Sequence, residues 1–164
     1  MKNLHDTNTV DMFERRYTPE NITELKPNEI FVFGSNTQGR HGKGAAKQAM
    51  SFGAIYGQAR CLQGRCYAIV TKDLTSKTKY PLKEIRFNIL ELLYDSYNKS
   101  DLTFLVTKIG CGLGGYTVNE IANLFVDLDI PDNVTLPKEF WDYKLKMEDI
   151  PKWNRNNEEF KQLI

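Results

Sequence analysis

The chain has 164 residues, a length that suits one domain with a short appendage at either end. Apolar residues make up 41% of it, which is enough for one core, and no window approaches the ~20 continuous apolar residues of a membrane helix. Its 22 basic and 21 acidic side chains give no electrostatic argument for sequence-independent binding to nucleic acid.

The N-terminal residues 1–14 lack the apolar region of a signal peptide, so we expect the protein to stay in the cytoplasm, without a membrane partner. Its three cysteines are an odd number, which favours reduced thiols over a disulfide framework. Only two histidines are present, His5 and His41, so a four-ligand zinc site is not expected. The sequence predicts neither a metal nor a cofactor.

In chain order, residues 1–26 form a polar lead-in, in which Thr18, followed by proline, indicates the start of a short helix. The predicted core covers residues 27–136. The remaining residues, 137–164, are expected to pack on the core through their aromatic side chains and to form a final helix after Asn154.

Within the core, short runs of β-branched and aromatic residues alternate with stretches of helical spacing. The predicted strands are 29–33, 67–70, 103–109 and 134–136. The predicted helices are 44–56, 81–97 and 118–128, and 57–65 is predicted to be a loop. This alternation predicts an α/β fold with a central, mostly parallel sheet and helices on both faces. Ligands of such sheets bind at the carboxyl ends of the strands.

The first candidate site is the glycine-rich loop between the first strand and the first helix. Glycines let backbone N–H groups approach a phosphate, and a helix N-terminus adds positive potential, so this layout is typical of phosphate binding. The alternative is a connection that only needs tight turns. His41 is either a surface residue or a ligand contact. The candidate ligand-binding residues are Ser35, Asn36, His41, Gly42, Lys43, Gly44 and Ala45.

The second candidate is the loop after the strand predicted at 103–109, which matches G-x-G-x-x-G. A dinucleotide-binding dehydrogenase would carry this motif after its first strand, with an acidic residue at a strand end ~20 residues later. Asp132 has about that spacing but lies in a predicted turn, so a nicotinamide-dependent oxidoreductase ranks below a nucleotide-binding protein. Cys111 is either a reactive thiolate or, more simply, a small filler residue. The candidate ligand-binding residues are Gly110, Cys111, Gly112, Leu113, Gly114, Gly115 and Tyr116.

Taken together, these residues resemble a macro domain over about Glu29 to Phe125. Asn36 with the run 40–46 resembles the family's first loop, and 109–115 is similar to its second loop, which wraps the diphosphate and the distal ribose. The resemblance is nearest to the branch containing the terminal ADP-ribose glycohydrolase, which has an I-T-K-like strand end, here 70–72, and an I-G-C-G-L loop. The chain is also similar to macro-like proteins of phages and bacteria.

This resemblance implies a three-layer macro-like fold, and ADP-ribose or an ADP-ribosylated substrate as the partner, with nucleic acid a partner only if it carries ADP-ribose. It assigns catalysis to Lys72, on a strand expected between the two that feed the glycine loops. A lysine amine can attack the anomeric carbon of an opened ribose. The branch's catalytic aspartate is replaced here by Gly114, and Asp73 and Asp129 are the remaining carboxylates considered for proton transfer.

Two functions therefore follow from the resemblance. The first is hydrolysis of an ADP-ribosyl linkage, motivated by Lys72 and the two loops. The second is a non-catalytic module that reads or sequesters an ADP-ribose-derived ligand, motivated by the intact loops and by Gly114. A lysine at a strand end is also compatible with simple solvation, because composition alone does not distinguish the two.

Overall fold

Five strands form one mixed sheet in the computed structural model, which describes residues 16–76 and 78–155. In chain order the strands are β1 (Glu29–Asn36), β2 (Cys61–Gln63), β3 (Cys66–Lys72), β4 (Thr103–Val106) and β5 (Val134–Thr135). Their order across the sheet is β2-β3-β1-β4-β5. The four neighbouring strands β3, β1, β4 and β5 run parallel to one another, whereas β2 runs antiparallel to β3.

The described helices follow the strands in chain order. They are α1 (Gly44–Met50), α2 (Leu82–Tyr97), α3 (Val118–Ala122) and α4 (Lys138–Asp149), with 3₁₀ turns at Asn123–Phe125 and Lys152–Asn154. A capping box begins α3: Glu120 N donates to Thr117 Oγ1 at 3.1 Å, and Thr117 N donates to Glu120 Oε1 at 3.0 Å. Across the described ranges, none of the helices combines the length and the apolar character that crossing a bilayer requires.

The central strand β1 is apolar on both faces because both are buried. Ile30 and Val32 belong to a cluster that continues into α2, α3 and α4, whereas Phe31 and Phe33 belong to a second cluster that continues into α1. Successive side chains of a strand point to opposite faces, so these four residues connect the sheet to both clusters. The uninterrupted apolar run of β1 is typical of a buried parallel strand.

The α/β class is confirmed, but the prediction of a mostly parallel sheet was wrong, because the sheet is mixed. Residues 61–63, predicted to lie in a loop, form the edge strand β2. Gly64 adopts φ +55°, a left-handed conformation that glycine tolerates, and thereby allows a two-residue reversal into β3. A three-residue strand has too few side chains to display an alternating pattern.

Three predicted elements end earlier in the structure than expected. The helix predicted over 44–56 ends at Met50, shortly before Gly53 takes φ +99°. The strand predicted over 103–109 ends at Val106, because the chain turns there, with Ile109 N donating to the carbonyl oxygen of Thr107. The helix predicted over 118–128 tightens into the 3₁₀ turn after Ala122.

The two terminal segments also differ from expectation. The short helix predicted at Thr18 is absent, and Thr18 instead donates its backbone N–H to the carbonyl oxygen of Leu136, extending the pairing beside β5. The helix α4 was not anticipated, because its mixture of aromatic and charged residues gives a weak helical pattern. Of the final helix predicted after Asn154, residues 156–164 lie outside the described part of the chain.

The strand order corrects the expected place of Lys72. We expected its strand to lie between the two that feed the glycine loops, but β1, which feeds the first loop, lies between β3 and β4. Lys72 is instead the register partner of Asn36. It therefore flanks the first loop directly, and β1 separates its strand from the strand that feeds the second loop.

A buried lysine on α4 holds the chain that follows α3. Lys144 Nζ donates to the carbonyl oxygens of Phe125 at 3.1 Å and Leu128 at 2.7 Å, and it pairs with Glu148. We expect Lys144→Met to lower the free energy of unfolding by about 1–3 kcal/mol, because both carbonyl groups would lose their charged donor. Chemical denaturation measures the change.

The control is Lys146→Met, two residues further along the same helix, where the side chain is exposed. This variant should unfold within about 0.5 kcal/mol of the wild type. Equal stability of the two variants would contradict the role assigned to Lys144.

Candidate functional site

A cleft of about 620 Å³ opens at the carboxyl ends of β1, β3 and β4. Both glycine-rich loops and the end of β3 line it, as expected for ligand sites of parallel strands. The predicted site residues that line it are Ser35, Asn36, Gly42, Lys43, Gly44, Ala45, Lys72, Gly110, Gly112, Leu113 and Gly114. The predicted site residues outside the lining are His41, Cys111, Gly115 and Tyr116.

The lining of this cleft is cationic. It contains Arg40, Lys43, Lys72 and Lys108, and no aspartate or glutamate, although the whole chain carries almost equal numbers of the two signs. Lys108 Nζ lies 3.3 Å from a carboxylate oxygen of Glu139. Within residues 16–76 and 78–155, the charged groups of the other three have no ion-pair or hydrogen-bond partner. Such a lining raises the local concentration of anions.

The side chain of Asn36 holds the first loop in shape. Its Oδ1 accepts hydrogen bonds from Gln38 N at 3.2 Å and Arg40 N at 2.9 Å, and its Nδ2 donates to the Arg40 carbonyl oxygen at 2.9 Å. Asparagine can fold a loop around itself in this way because its amide is both donor and acceptor. Asn36 therefore positions the loop backbone at the cleft.

His41 is neither on the surface nor in the cleft. It is 3% exposed, and its Nε2 lies 3.1 Å from the carbonyl oxygen of Gln58 and 3.2 Å from Gln63 Oε1. The rings of His41 and Phe33 pack in a T-shaped arrangement, with centroids 5.0 Å apart. His41 thus fastens the first loop to the core and to the edge strand β2.

The second loop packs its backbone directly against the end of β1. A Cβ atom at Gly34 would lie 3.3 Å from the Gly110 nitrogen and 3.0 Å from Thr71 Oγ1. Gly110 itself takes φ +73°, and a Cβ there would lie 2.9 Å from Ile121 Cδ1. A side chain at Gly34 would therefore be tightly crowded, and at Gly110 the left-handed backbone conformation itself favours glycine.

Gly114 stands where the resembling glycohydrolase branch carries its aspartate. A Cβ atom there would lie 2.8 Å from the Gly110 carbonyl oxygen and 2.9 Å from Gly110 Cα, closer than side chains approach backbone atoms. The loop as folded here therefore has no space for the aspartate. The cleft lacks a carboxylate at this position for a steric reason, in addition to the change in residue type.

The other carboxylates considered for proton transfer lie outside the cleft lining. Hydrogen bonds donated by the side chains of Thr75 and Ser76, at 2.6 and 2.7 Å, lower the pKa of Asp73 well below its usual value. Asp73 is thus a carboxylate that fixes the turn after β3, and it is a poor proton donor. Asp129 is exposed in the loop before β5.

The three cysteines are free thiols, of which Cys66 is buried and the other two are partly buried. Cys111 is partly buried with its Sγ 3.4 Å from the Ile109 carbonyl oxygen, and burial raises its pKa to about 11. Burial also raises the pKa of Cys66 to about 11 and that of Cys61 above its ordinary value. These surroundings agree with the reading of Cys111 as a filler residue.

The back of the second loop is tied to the chain before α2. Lys79 Nζ lies 4.9 Å from the centroid of the Tyr116 ring, and the Tyr116 hydroxyl donates to the carbonyl oxygen of Tyr80. Gly115 lies beside Lys79, since a Cβ there would be 3.4 Å from Lys79 Cε. Tyr116 and Gly115 therefore position the loop from behind.

A second cavity of about 420 Å³ adjoins the cleft, with Ala45, Thr107 and Lys108 lining both. Its other walls include apolar and acidic side chains, namely Ile22, Phe31, Pro137, Glu20 and Glu139. Sequence reasoning missed this cavity, because its walls come from segments distant along the chain. It also missed Tyr56, Leu74, Thr107 and Lys108 of the cleft lining, which lie outside the two predicted loops and the strand end 70–72.

The structure gives no support to the oxidoreductase alternative. Asp132 lies just before β5, whereas the glycine-rich loops follow β1 and β4. Because these strands are parallel, Asp132 lies at the amino ends of the strands, whereas the loops lie at their carboxyl ends.

In the described ranges, no group of three or more histidine, cysteine or acidic side chains is arranged to hold a metal ion. No protein-family model, curated protein or solved structure matches the chain.

Gly114→Ala tests the packing of the second loop. We expect it to destabilise the fold by about 1–3 kcal/mol or to displace the loop, because the added methyl group would overlap the Gly110 backbone. Thermal unfolding measures the first effect. Gly112→Ala is the matched control, since a Cβ at Gly112 meets no atom within 4 Å. A smaller effect at Gly114 than at Gly112 would contradict the packing described here.

The raised pKa values predict slow alkylation of the native thiols. With a pKa of about 11, roughly one thiol in several thousand is ionised near pH 7.5, and only the thiolate reacts. We expect iodoacetamide to modify Cys111 and Cys66 much more slowly than in the denatured chain, and faster as pH rises toward 11. Mass spectrometry of timed samples measures this, and rapid labelling of Cys111 at pH 7 would refute the filler role.

Proposed function

We propose that the chain binds an ADP-ribose-type nucleotide in the cleft between the two glycine-rich loops, as a macro-like protein. The observation that supports this most directly is the cleft lining, which has four cationic side chains and no carboxylate in a nearly neutral chain. A diphosphate is the anionic group that glycine-rich loops at strand ends commonly hold. The volume of about 620 Å³ lies within the range usual for small-molecule sites.

We also propose the three-layer macro-like arrangement as the reason for this site. The two apolar clusters leave α1 on one face of the sheet and α2, α3 and α4 on the other. In this arrangement the ends of β1, β3 and β4 are free to carry the ligand loops. The central position of β1 then explains why its loop and the second loop meet.

The second cavity is the proposed site of the nucleobase. Ile22 and Phe31 form part of its wall but are themselves almost fully buried. The carboxylates of Glu20 and Glu139, which also line it, can accept hydrogen bonds from an exocyclic amine. The diphosphate would then lie against the glycine-rich loops, and the distal ribose beside Lys72. Thr107 and Lys108, which line both cavities, would lie along the nucleotide between base and diphosphate.

Binding without turnover is the activity that the site supports best. Hydrolysis of an ADP-ribosyl linkage needs a proton donor for the leaving oxygen. The cleft lining contains no carboxylate, Gly114 has no room for one, and Asp73 is held ionised in a turn. The chain is therefore proposed to read or sequester its ligand.

Hydrolysis is the second candidate, and one observation favours it. The amine of Lys72 faces no ion-pair or hydrogen-bond partner among the described residues, and Lys72 lines the cleft at the end of β3. A lysine without an ion pair can approach an opened ribose, and its neutral amine form would be the nucleophile. Proton transfer would then depend on water or on the substrate itself.

Isothermal titration calorimetry tests the binding proposal. We expect ADP-ribose to bind clearly more tightly than AMP, because AMP lacks the diphosphate and the distal ribose. Lys43→Gln and Lys72→Gln should each weaken ADP-ribose binding about tenfold, since each removes one charge facing the ligand. Lys146→Gln, an exposed lysine on α4, is the control and should bind as the wild type does.

Two outcomes would contradict the proposal. Equal affinity for AMP and ADP-ribose would mean that the loops do not hold a diphosphate. Loss of affinity in Lys146→Gln equal to that in Lys72→Gln would mean that only the overall charge matters. Long incubation with ADP-ribosylated protein and ADP-ribosylated DNA separates the two activities: no release by the wild type supports a binding module, and release that Lys72→Ala abolishes establishes the hydrolase.

A further inference from the structure

One helix of this chain exposes a continuous apolar stripe to solvent. The large apolar side chains of α2 that remain exposed are Phe87 (57%), Leu90 (42%), Tyr94 (71%) and Tyr97 (77%). Their spacing of three and four residues places them within one narrow arc of the helix, at 100° per residue. The stripe is therefore a single surface, in contrast to the scattered apolar residues that every protein surface carries.

The opposite face of α2 already fulfils the helix's structural role. Ile85, Ile89 and Leu92 are fully buried in the larger apolar cluster, with Asn88 and Ser96 buried on the same side. The fold therefore needs no further apolar surface on this helix. A helix that is apolar on two opposite sides is typical of one that packs between two bodies.

The charges beside the stripe complement each other across a two-fold axis. Taking Phe87 and Tyr94 as the a positions of a heptad repeat and Leu90 and Tyr97 as the d positions, Arg86 falls at g and Glu91 at the following e. In two parallel helices, a g residue of one lies against the following e residue of the other. Arg86 is exposed, and no partner for its guanidinium is found in the described ranges.

At the Glu91 flank, a cationic group is already present. Arg60 donates to both carboxylate oxygens of Glu91, at 3.0 and 2.8 Å, and its guanidinium lies 6.0 Å from the Phe87 ring centroid. Cys61 Sγ also donates to Glu91 Oε1, at 3.1 Å, and these contacts hold the carboxylate in place beside the stripe. A carboxylate accepts up to four hydrogen bonds, so one position of Glu91 remains for a single N–H of a second guanidinium.

We propose that α2 is the interface through which two copies of this chain pair, with the two α2 helices parallel and related by a two-fold axis. Phe87, Leu90, Tyr94 and Tyr97 of each copy then pack on the same residues of the other. Arg86 of each copy binds Glu91 of the other. Lys83, in line with the stripe one turn before Phe87, extends into solvent and ends the contact.

The size of the stripe sets the expected strength of pairing. Large aromatic side chains bury about 150–250 Å² each, so the exposed parts of these four amount to roughly 450 Å² per copy. That is about half the contribution of one partner to a standard interface, which indicates a weak, concentration-dependent dimer. The site proposed for the nucleotide plays no part in this inference.

Sedimentation equilibrium of the full chain from about 5 to about 500 µM tests the pairing. We expect a monomer–dimer equilibrium for the wild type and a monomer at all concentrations for Tyr94→Glu and Tyr97→Glu. Trp153→Glu is the matched control, because Trp153 is an exposed aromatic residue outside α2 (81%) and should leave the dimer intact. Circular dichroism verifies that each variant is folded.

Disulfide formation tests the parallel arrangement. Identical positions of the stripe face each other in parallel helices, so Tyr97→Cys should form a disulfide-linked dimer on mild oxidation, faster than Trp153→Cys does. The proposal is overturned if the wild type is a monomer throughout the concentration range, or if the dimer persists in Tyr94→Glu. A mixture of Phe87→Cys and Tyr97→Cys that links faster than Tyr97→Cys alone would overturn it as well, because it would indicate antiparallel helices.

Discussion

The rest of the candidate site depends on one close approach, that of the second glycine-rich loop to the end of β1. A Cβ atom at Gly34 would lie 3.3 Å from the Gly110 nitrogen and 3.0 Å from Thr71 Oγ1 of β3. Gly34 and Gly110 both line the cleft, together with the cationic residues Arg40, Lys43, Lys72 and Lys108.

The same approach determines what the loop can carry. Gly114 lies so close to the Gly110 backbone that the loop excludes a side chain at the position where the resembling branch has its aspartate. At position 114 the close packing of the loop therefore leaves no space for an acidic side chain. Asp73, the carboxylate next along the chain from Lys72, is used by the turn after β3. The result is a cleft lined by four cationic side chains and by no carboxylate.

Many of the strands and helices could be predicted from the sequence, because the residues that favour them lie within a short segment. A short run of consecutive apolar residues is typical of a buried strand, whatever packs against it. The capping box of Thr117 and Glu120 likewise marks the start of α3 without reference to distant residues. The edge strand β2 and the helix α4 were missed for the opposite reason. β2 is held by its pairing with β3, and α4 by the packing of Phe140 and Trp141 on the large cluster, neither of which a local window contains.

The sequence by itself determined the two glycine-rich loops, their position after strands and the residues from which the macro-like resemblance arises, since glycine spacing and strand composition are properties of short segments. Only the tertiary structure decided which loop residues reach the cleft, because a loop's side chains are directed by contacts with distant elements. His41 turned inward to Gln58 and Gln63, and Asn36 turned onto its own loop. The order of the strands also depends on tertiary contacts. Because β1 pairs with both β3 and β4, Lys72 lies beside the first loop, and β1 separates its strand from the one that leads into the second loop.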